Sequence, residues 1–93
     1  PNLQTLNLSF NQIGDAGATA LANKLPSNLQ TLNLFHNYIT AAGATALAEA
    51  LSKLPNLQTL DLGFNQIGGK GADALRLAWV GAGKDPKNLI IEI

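Results

Sequence analysis

The sequence predicts an α/β solenoid, with short parallel strands stacked along one face and a helix returning along the other in each unit. Two observations carry this. The pattern LxxLxLxxNxI occurs three times, as LQTLNLSFNQI (residues 3–13), LQTLNLFHNYI (29–39) and LQTLDLGFNQI (57–67). The copies start 26 and then 28 residues apart, and each is followed by an alanine-rich stretch with apolar residues at helical spacing. Five fixed positions recurring together across most of 93 residues mark a repeat architecture.

The elements follow in chain order. Leu6 and Leu8 are two apart, so a strand points both to the interior; Leu32 with Leu34 and Leu60 with Leu62 extend the same apolar column. Asn11, Asn37 and Asn65 fall just past each strand, where the chain turns inward and backbone groups lose their strand partners. An amide side chain can satisfy both donors and acceptors there, so these three are expected to form an asparagine ladder. Ile13, Ile39 and Ile67 then tuck beneath the turn. Helices are expected over 15–25, 40–54 and about 70–80, with Asp15 and Thr40 as N-caps. Gly17, Gly43 and Gly71 sit in the first turns, where a missing side chain lets helix and strand backbones approach. Glu49 and Lys53 are four apart and should pair on the outer face, while Pro26 and Pro55 precede each new strand.

The last unit departs from the pattern. Its helix carries Arg76, Leu77 and Trp79, and GAGKDPK follows before NLIIEI. Aligning PKNL with PSNL would turn Glu92 inward. Sliding by three positions turns Leu89 and Ile91 inward instead, 29 residues after Leu60, and this register is expected because an unpaired buried carboxylate is costly. Trp79 should close the core at this end. The units are therefore about 1–26, 27–54 and 55–85, with a partial repeat or cap over 86–93, all one domain.

Several function classes recede. GFNQIGGKGADAL (residues 63–75) suggests a phosphate-binding loop, but the spacing fails: Gly69 occupies the lysine position, and Gly71 the hydroxyl position counted from Lys70. Lys70 is also replaced by Ala16 and Ala42 in the other copies, so the glycines belong to the repeat. A formal net charge of zero lacks the footprint of a nucleic-acid binder. No apolar run approaches the about 18 residues of a membrane span. The absence of cysteine removes disulfides and thiolate metal sites. No cofactor is expected.

A period of 26–29 residues with an alanine-rich helix in each unit resembles the ribonuclease-inhibitor-like subfamily of leucine-rich repeats. Similar repeats occur in Ran GTPase-activating proteins, NOD-like receptors and bacterial proteins that act on hosts. The resemblance implies a leucine-rich-repeat solenoid, a horseshoe segment whose concave strand face serves as a binding scaffold. Together with the absence of cysteine, it favours an intracellular or host-directed bacterial protein over a disulfide-stabilised secreted one. The lack of cysteine departs from the inhibitor itself, so that protein's partner does not carry over.

The outward strand positions are where a function could sit. Gln4, Gln30 and Gln58, with Thr5, Thr31 and Thr59, repeat identically and suggest cross-strand polar ladders. Phe10, His36 and Phe64 share one position in three adjacent strands, with Phe35 and Tyr38 close by and Asp61 further down. Strands about 4.8 Å apart make this a stripe roughly 10 Å across, and aromatic anchors of this kind dominate many protein interfaces. Ser9, His36 and Asp61 do not form a catalytic relay, because Asp61 lies three positions down its strand, roughly 10 Å away. One histidine without an acidic cluster gives no metal site. The expectation is a non-enzymatic module that binds a protein partner. The alternatives are an assembly segment whose exposed strands pair between chains, or part of a GTPase-regulator-like repeat protein. Pro1 leads straight into a strand, and solenoid ends need polar caps, so residues 3–8 are expected to be covered by further repeats or by self-association.

Overall fold

The computed structural model describes residues 3–91. Strands β1 (Thr5–Asn7), β2 (Thr31–Asn33), β3 (Thr59–Asp61) and β4 (Leu89–Ile90) form one parallel sheet in chain order. Helices α1 (Gly14–Ala22), α2 (Ala41–Ala50) and α3 (Gly68–Gly81) connect them. Leu6, Leu32 and Leu60 stand side by side, and Leu60 pairs with Leu89, as the carboxylate argument required. Leu89 and Ile91 pack against the core; Glu92 lies outside the described residues.

The core fills the space between sheet and helices. Leu29, Leu32, Leu34, Ile39, Leu57, Leu60 and Leu62 are buried from the strand side, and Ala18, Ala44, Leu47 and Leu75 from the helices. Small alanines on the helices let each helix lie close to its neighbour while leucines supply the apolar area on the sheet. Leu6, Leu8, Ile13 and Leu21 are only partly buried, since they belong to the outermost repeat.

The strands are three residues long or less because the next residues are already turning. Asn7 Oδ1 accepts from Ser9 N (3.0 Å), Asn33 Oδ1 from Phe35 N (3.0 Å) and Asp61 Oδ1 from Gly63 N (2.9 Å). Each is an Asx turn that bends the chain out of the strand at the same place in these three repeats, while backbone bonds such as Phe10 N to Phe35 O and His36 N to Gly63 O continue between repeats beyond it.

The helices correct several expectations. Asp15 is not the cap of its own helix; it lies in the first turn of α1 and caps the next one. Its Oδ1 accepts from Thr40 N (2.7 Å) and Gly43 N (3.0 Å), and its Oδ2 from Thr40 Oγ1 (2.5 Å). Thr40 holds the N-cap position of α2, but its hydroxyl is given to Asp15 and makes no cap bond of its own. The solenoid stacks the two helices so that a side chain of one reaches the orphan N–H groups of the other. The carboxyl of Asp15 is accordingly held below its ordinary value, first by the Thr40 hydroxyl and then by the two N–H groups, against a desolvation that raises it.

The first-turn glycines serve a different neighbour from the one expected. A Cβ on Gly17, Gly43 or Gly71 would stand 2.6, 2.7 and 2.6 Å from Cγ2 of Ile13, Ile39 and Ile67, respectively. On Gly71 it would also come within 3.0 Å of Ala41 Cα. The close approach is thus to the repeat's own isoleucine and the preceding helix, and not to a strand backbone.

Glu49 and Lys53 form no ion pair. The helix ends at Ala50 and tightens into a 3-10 turn over Leu51–Lys53, which removes the four-residue stagger such a pair needs. Among the described residues the ion pair present is Asp73–Arg76, at 3.7 Å on the exposed face of α3.

At the far end Trp79 is fully buried and its Nε1 donates to Asp85 O (2.6 Å). Lys84 completes the closure. Its Nζ donates to Leu54 O and Leu57 O, both at 2.8 Å, and lies 5.6 Å from the Trp79 ring centre. Burial pushes its pKa down, while the two carbonyls give the ammonium the partners that the desolvation demands.

Candidate interaction surface

The asparagines that follow each strand link one repeat to the previous one. Asn65 Oδ1 accepts from Asn37 N and Ile39 N, both at 2.9 Å, and its Nδ2 donates to Leu34 O and Leu62 O at 3.0 Å. Asn37 does the same one repeat earlier. It accepts from Asn11 N (3.2 Å) and Ile13 N (3.4 Å), and donates to Leu8 O (2.8 Å) and Phe35 O (3.3 Å). Asn37 and Asn65 are buried; Asn11 is exposed and donates within its own repeat, to Leu8 O and Ser9 O.

The residue before each ladder asparagine is left-handed. Phe10, His36 and Phe64 have φ of 60°, 58° and 53°, and Tyr38 has 59°. A side chain in that region costs about 1–2 kcal/mol relative to glycine. The turn nevertheless carries an aromatic side chain at all four positions. Nothing in a phenylalanine or tyrosine announces left-handed backbone, so these turns gave no signal in sequence.

These turns aim the aromatic side chains outward along the strand face. Phe10 is 70% exposed, Phe64 56% and Tyr38 55%. Phe35 lies between them, edge-on to Phe10 at 5.3 Å between ring centres and stacked on Phe64 at 5.1 Å. His36 sits 5.2 Å from Phe10 and 5.6 Å from Tyr38. The stripe expected from the repeat is therefore a single contiguous cluster of five rings. Gly63 makes room for it: a Cβ there would stand 3.0 Å from Phe35 Cδ1 and 3.1 Å from Asp61 Oδ1.

The rest of the face is polar. Thr5, Thr31 and Thr59 stand in register. The glutamines and threonines do not build the side-chain ladders expected of them, however. The bonds between these rows are backbone ones, with Gln30 N and Thr31 N donating to Gln4 O, and Gln58 N and Thr59 N to Gln30 O. Among the described residues these side chains make no hydrogen bond and remain available. Ser9 Oγ donates to Asn7 Oδ1 (2.8 Å) and Asp61 accepts from Gly63 N, so neither is joined to His36.

Charge is segregated between the two sides. Lys24, Lys53, Lys70, Arg76, Lys84 and Lys87 all lie on helices or in helix-to-strand connections. On the described strands and the turns that follow them, the fixed charge is Asp61 alone.

One parallel strand per repeat, an asparagine ladder behind it and a helix outside define a solenoid of the leucine-rich type. A family model described as Leucine Rich repeats (2 copies) matches residues 1–44 and again residues 27–75. The chain belongs to the leucine-rich repeat family. Among curated proteins, none matches it.

Proposed function

We propose that this domain is a protein-binding scaffold of the ribonuclease-inhibitor-like kind, and that the aromatic cluster on its strand face is the contact surface. Leucine-rich repeat domains generally mediate protein–protein interaction, which supports the class. Spacings of 26 and 28 residues with an α-helix in each repeat support the subfamily.

One observation carries the choice of surface: large aromatic residues are exposed at positions where the backbone would prefer glycine or asparagine. Strain of this kind clusters at functional sites because the fold alone does not reward it. Phe10, Phe35, His36, Tyr38 and Phe64 supply rigid apolar area at low entropic cost, and Asp61 with the free glutamines and threonines supplies a polar surround. That is the composition of an interface core and rim.

A photo-crosslinking residue placed at Tyr38 tests this in extract of the source cell, with the same residue at Leu77 on α3 as the opposite-face control. The expected result is a discrete adduct from Tyr38 that is absent from Leu77 and is lost in Phe10→Asn/Phe64→Asn. Asparagine tolerates left-handed backbone, so that variant keeps the turn. An adduct that forms equally from Leu77, or that survives the double substitution, overturns the assignment.

A further inference from the structure

Asp61 carries a charge that its structural role does not need. Asn7, Asn33 and Asp61 stand in register on adjacent strands. All three build the same Asx turn through Oδ1, at 3.0, 3.0 and 2.9 Å. Two neutral amides do this as well as the carboxylate does. The negative charge is therefore surplus to the fold. It is also unneutralised: among the described residues no donor meets its Oδ2, and every lysine and arginine lies on the helices or their connections to the strands.

The carboxylate has aromatic neighbours. Asp61 Oδ1 and the edge of Phe35 flank the same point above Gly63, and Phe35 is stacked on the exposed ring of Phe64 with an interplanar angle of 26°. An anionic oxygen beside the edge of Phe35, which is itself stacked on the exposed Phe64 ring, with no lysine or arginine on this face, suits a planar cation. Building on the reading of this face as a protein interface, we propose that Asp61, Phe35 and Phe64 form a subsite for a guanidinium group, so that the partner presents an arginine to it.

The chemistry discriminates among partner side chains. A guanidinium lies flat on an aromatic face while its N–H groups reach sideways to a carboxylate oxygen, so both contacts form at once. An ammonium is a strongly hydrated point charge and gains less from the ring. A carboxylate or phosphate finds no cation on this face and is repelled by Asp61. The arginine sets register and specificity, while the apolar area of Phe10 and Tyr38 contributes affinity that does not depend on charge.

A displayed library of short random peptides, panned against the 93-residue protein and counter-selected on Phe10→Asn/Phe64→Asn, supplies probes that bind through the stripe. Affinity is then measured by fluorescence anisotropy for the selected peptides and for versions with arginine replaced by citrulline, which keeps the shape and removes the charge. The expected result is that stripe-dependent peptides contain arginine, and that Asp61→Asn weakens them about tenfold at low salt while leaving the citrulline versions unchanged. Asp61→Asn keeps the turn, as Asn7 and Asn33 do, and its unfolding midpoint serves as the control. Stripe-dependent peptides without arginine, or arginine peptides indifferent to Asp61→Asn, overturn the guanidinium subsite and leave the interface standing. If no peptide depends on the stripe, both fall.

Discussion

Substituting alanine for each ladder asparagine in turn probes how the repeats are joined, and the structure ranks the three. Removing the Asn65 amide strips partners from Asn37 N and Ile39 N, both bonded at 2.9 Å, and from the carbonyls of Leu34 and Leu62 at 3.0 Å. Ile39 is fully buried, so water does not replace those partners. With about 1–3 kcal/mol for each buried group left unpaired, and relaxation recovering part of it, Asn65→Ala costs about 3 kcal/mol. Asn37→Ala removes longer bonds to Asn11 N and Ile13 N, at 3.2 and 3.4 Å, and Asn11 is exposed, which brings the cost to about 2 kcal/mol. Asn11→Ala removes bonds within an exposed turn and costs less than about 1 kcal/mol. Asn37→Asp gives no rescue, because an oxygen then faces the carbonyls of Leu8 and Phe35 in place of Nδ2. Urea unfolding followed by circular dichroism, with Trp79 fluorescence as a second probe, measures the series at constant m-value. If Asn11→Ala costs as much as Asn65→Ala, or Asn37→Ala costs nothing, the ladder does not hold the repeats together as described.

Three further outcomes follow from the geometry. Asp15→Ala destabilises by about 1 kcal/mol, as loss of a helix cap does. Because the Asp15 carboxyl is held below its ordinary 3.8, its contribution is present above that value and lost as pH falls through the lower folded value; urea midpoints across the acid range show a shallower decline in Asp15→Asn, and an unchanged profile contradicts the cap. Lys84→Met keeps the apolar stem but removes the donor to Leu54 O and Leu57 O, costing about 2 kcal/mol, and thermal melts that match wild type refute the closure. Finally, among the described residues β1 and β4 are the outer strands of the sheet, beside partly buried leucines and isoleucines, and a polypeptide of these 93 residues alone is expected to self-associate through such an edge. Sedimentation of a stable monomer at high micromolar concentration refutes that, and Ile90→Lys reduces any pairing through β4.

What the sequence disclosed, and what it hid, divides along a physical line. Strand positions, ladder asparagines and the Leu60–Leu89 register were readable because each depends on residues within one repeat or on its repetition. The role of Asp15 is not legible in the sequence because its partners, Thr40 and Gly43, are brought to it by the lateral stacking of helices. No local pattern encodes that contact. The role of Lys84 is hidden for the same reason, its acceptors lying 27 and 30 residues earlier in the chain. The helix expected over 40–54 is shorter in the structure: alanine and leucine continue at helical spacing past Ala50, but the backbone tightens there to reach the next strand. The aromatic positions of the candidate surface were legible as a repeat-breaking stripe. The left-handed backbone that aims them was not, since glycine and asparagine advertise it in a sequence and phenylalanine and tyrosine do not.

The ladder also gives the chain a direction in time. The N–H groups of Phe10, Asn11, Ile13 and Gly14 all donate to the second repeat, to Phe35 O, to the Asn37 side chain and to Asn37 O. The second repeat depends on the third in the same way, through Asn65. On a ribosome, where the N-terminal part emerges first, each of these two turns waits for the following repeat before its donors are met. The first two units are thus finished by their successors, and a nascent chain halted after either of them ends on an unfinished turn.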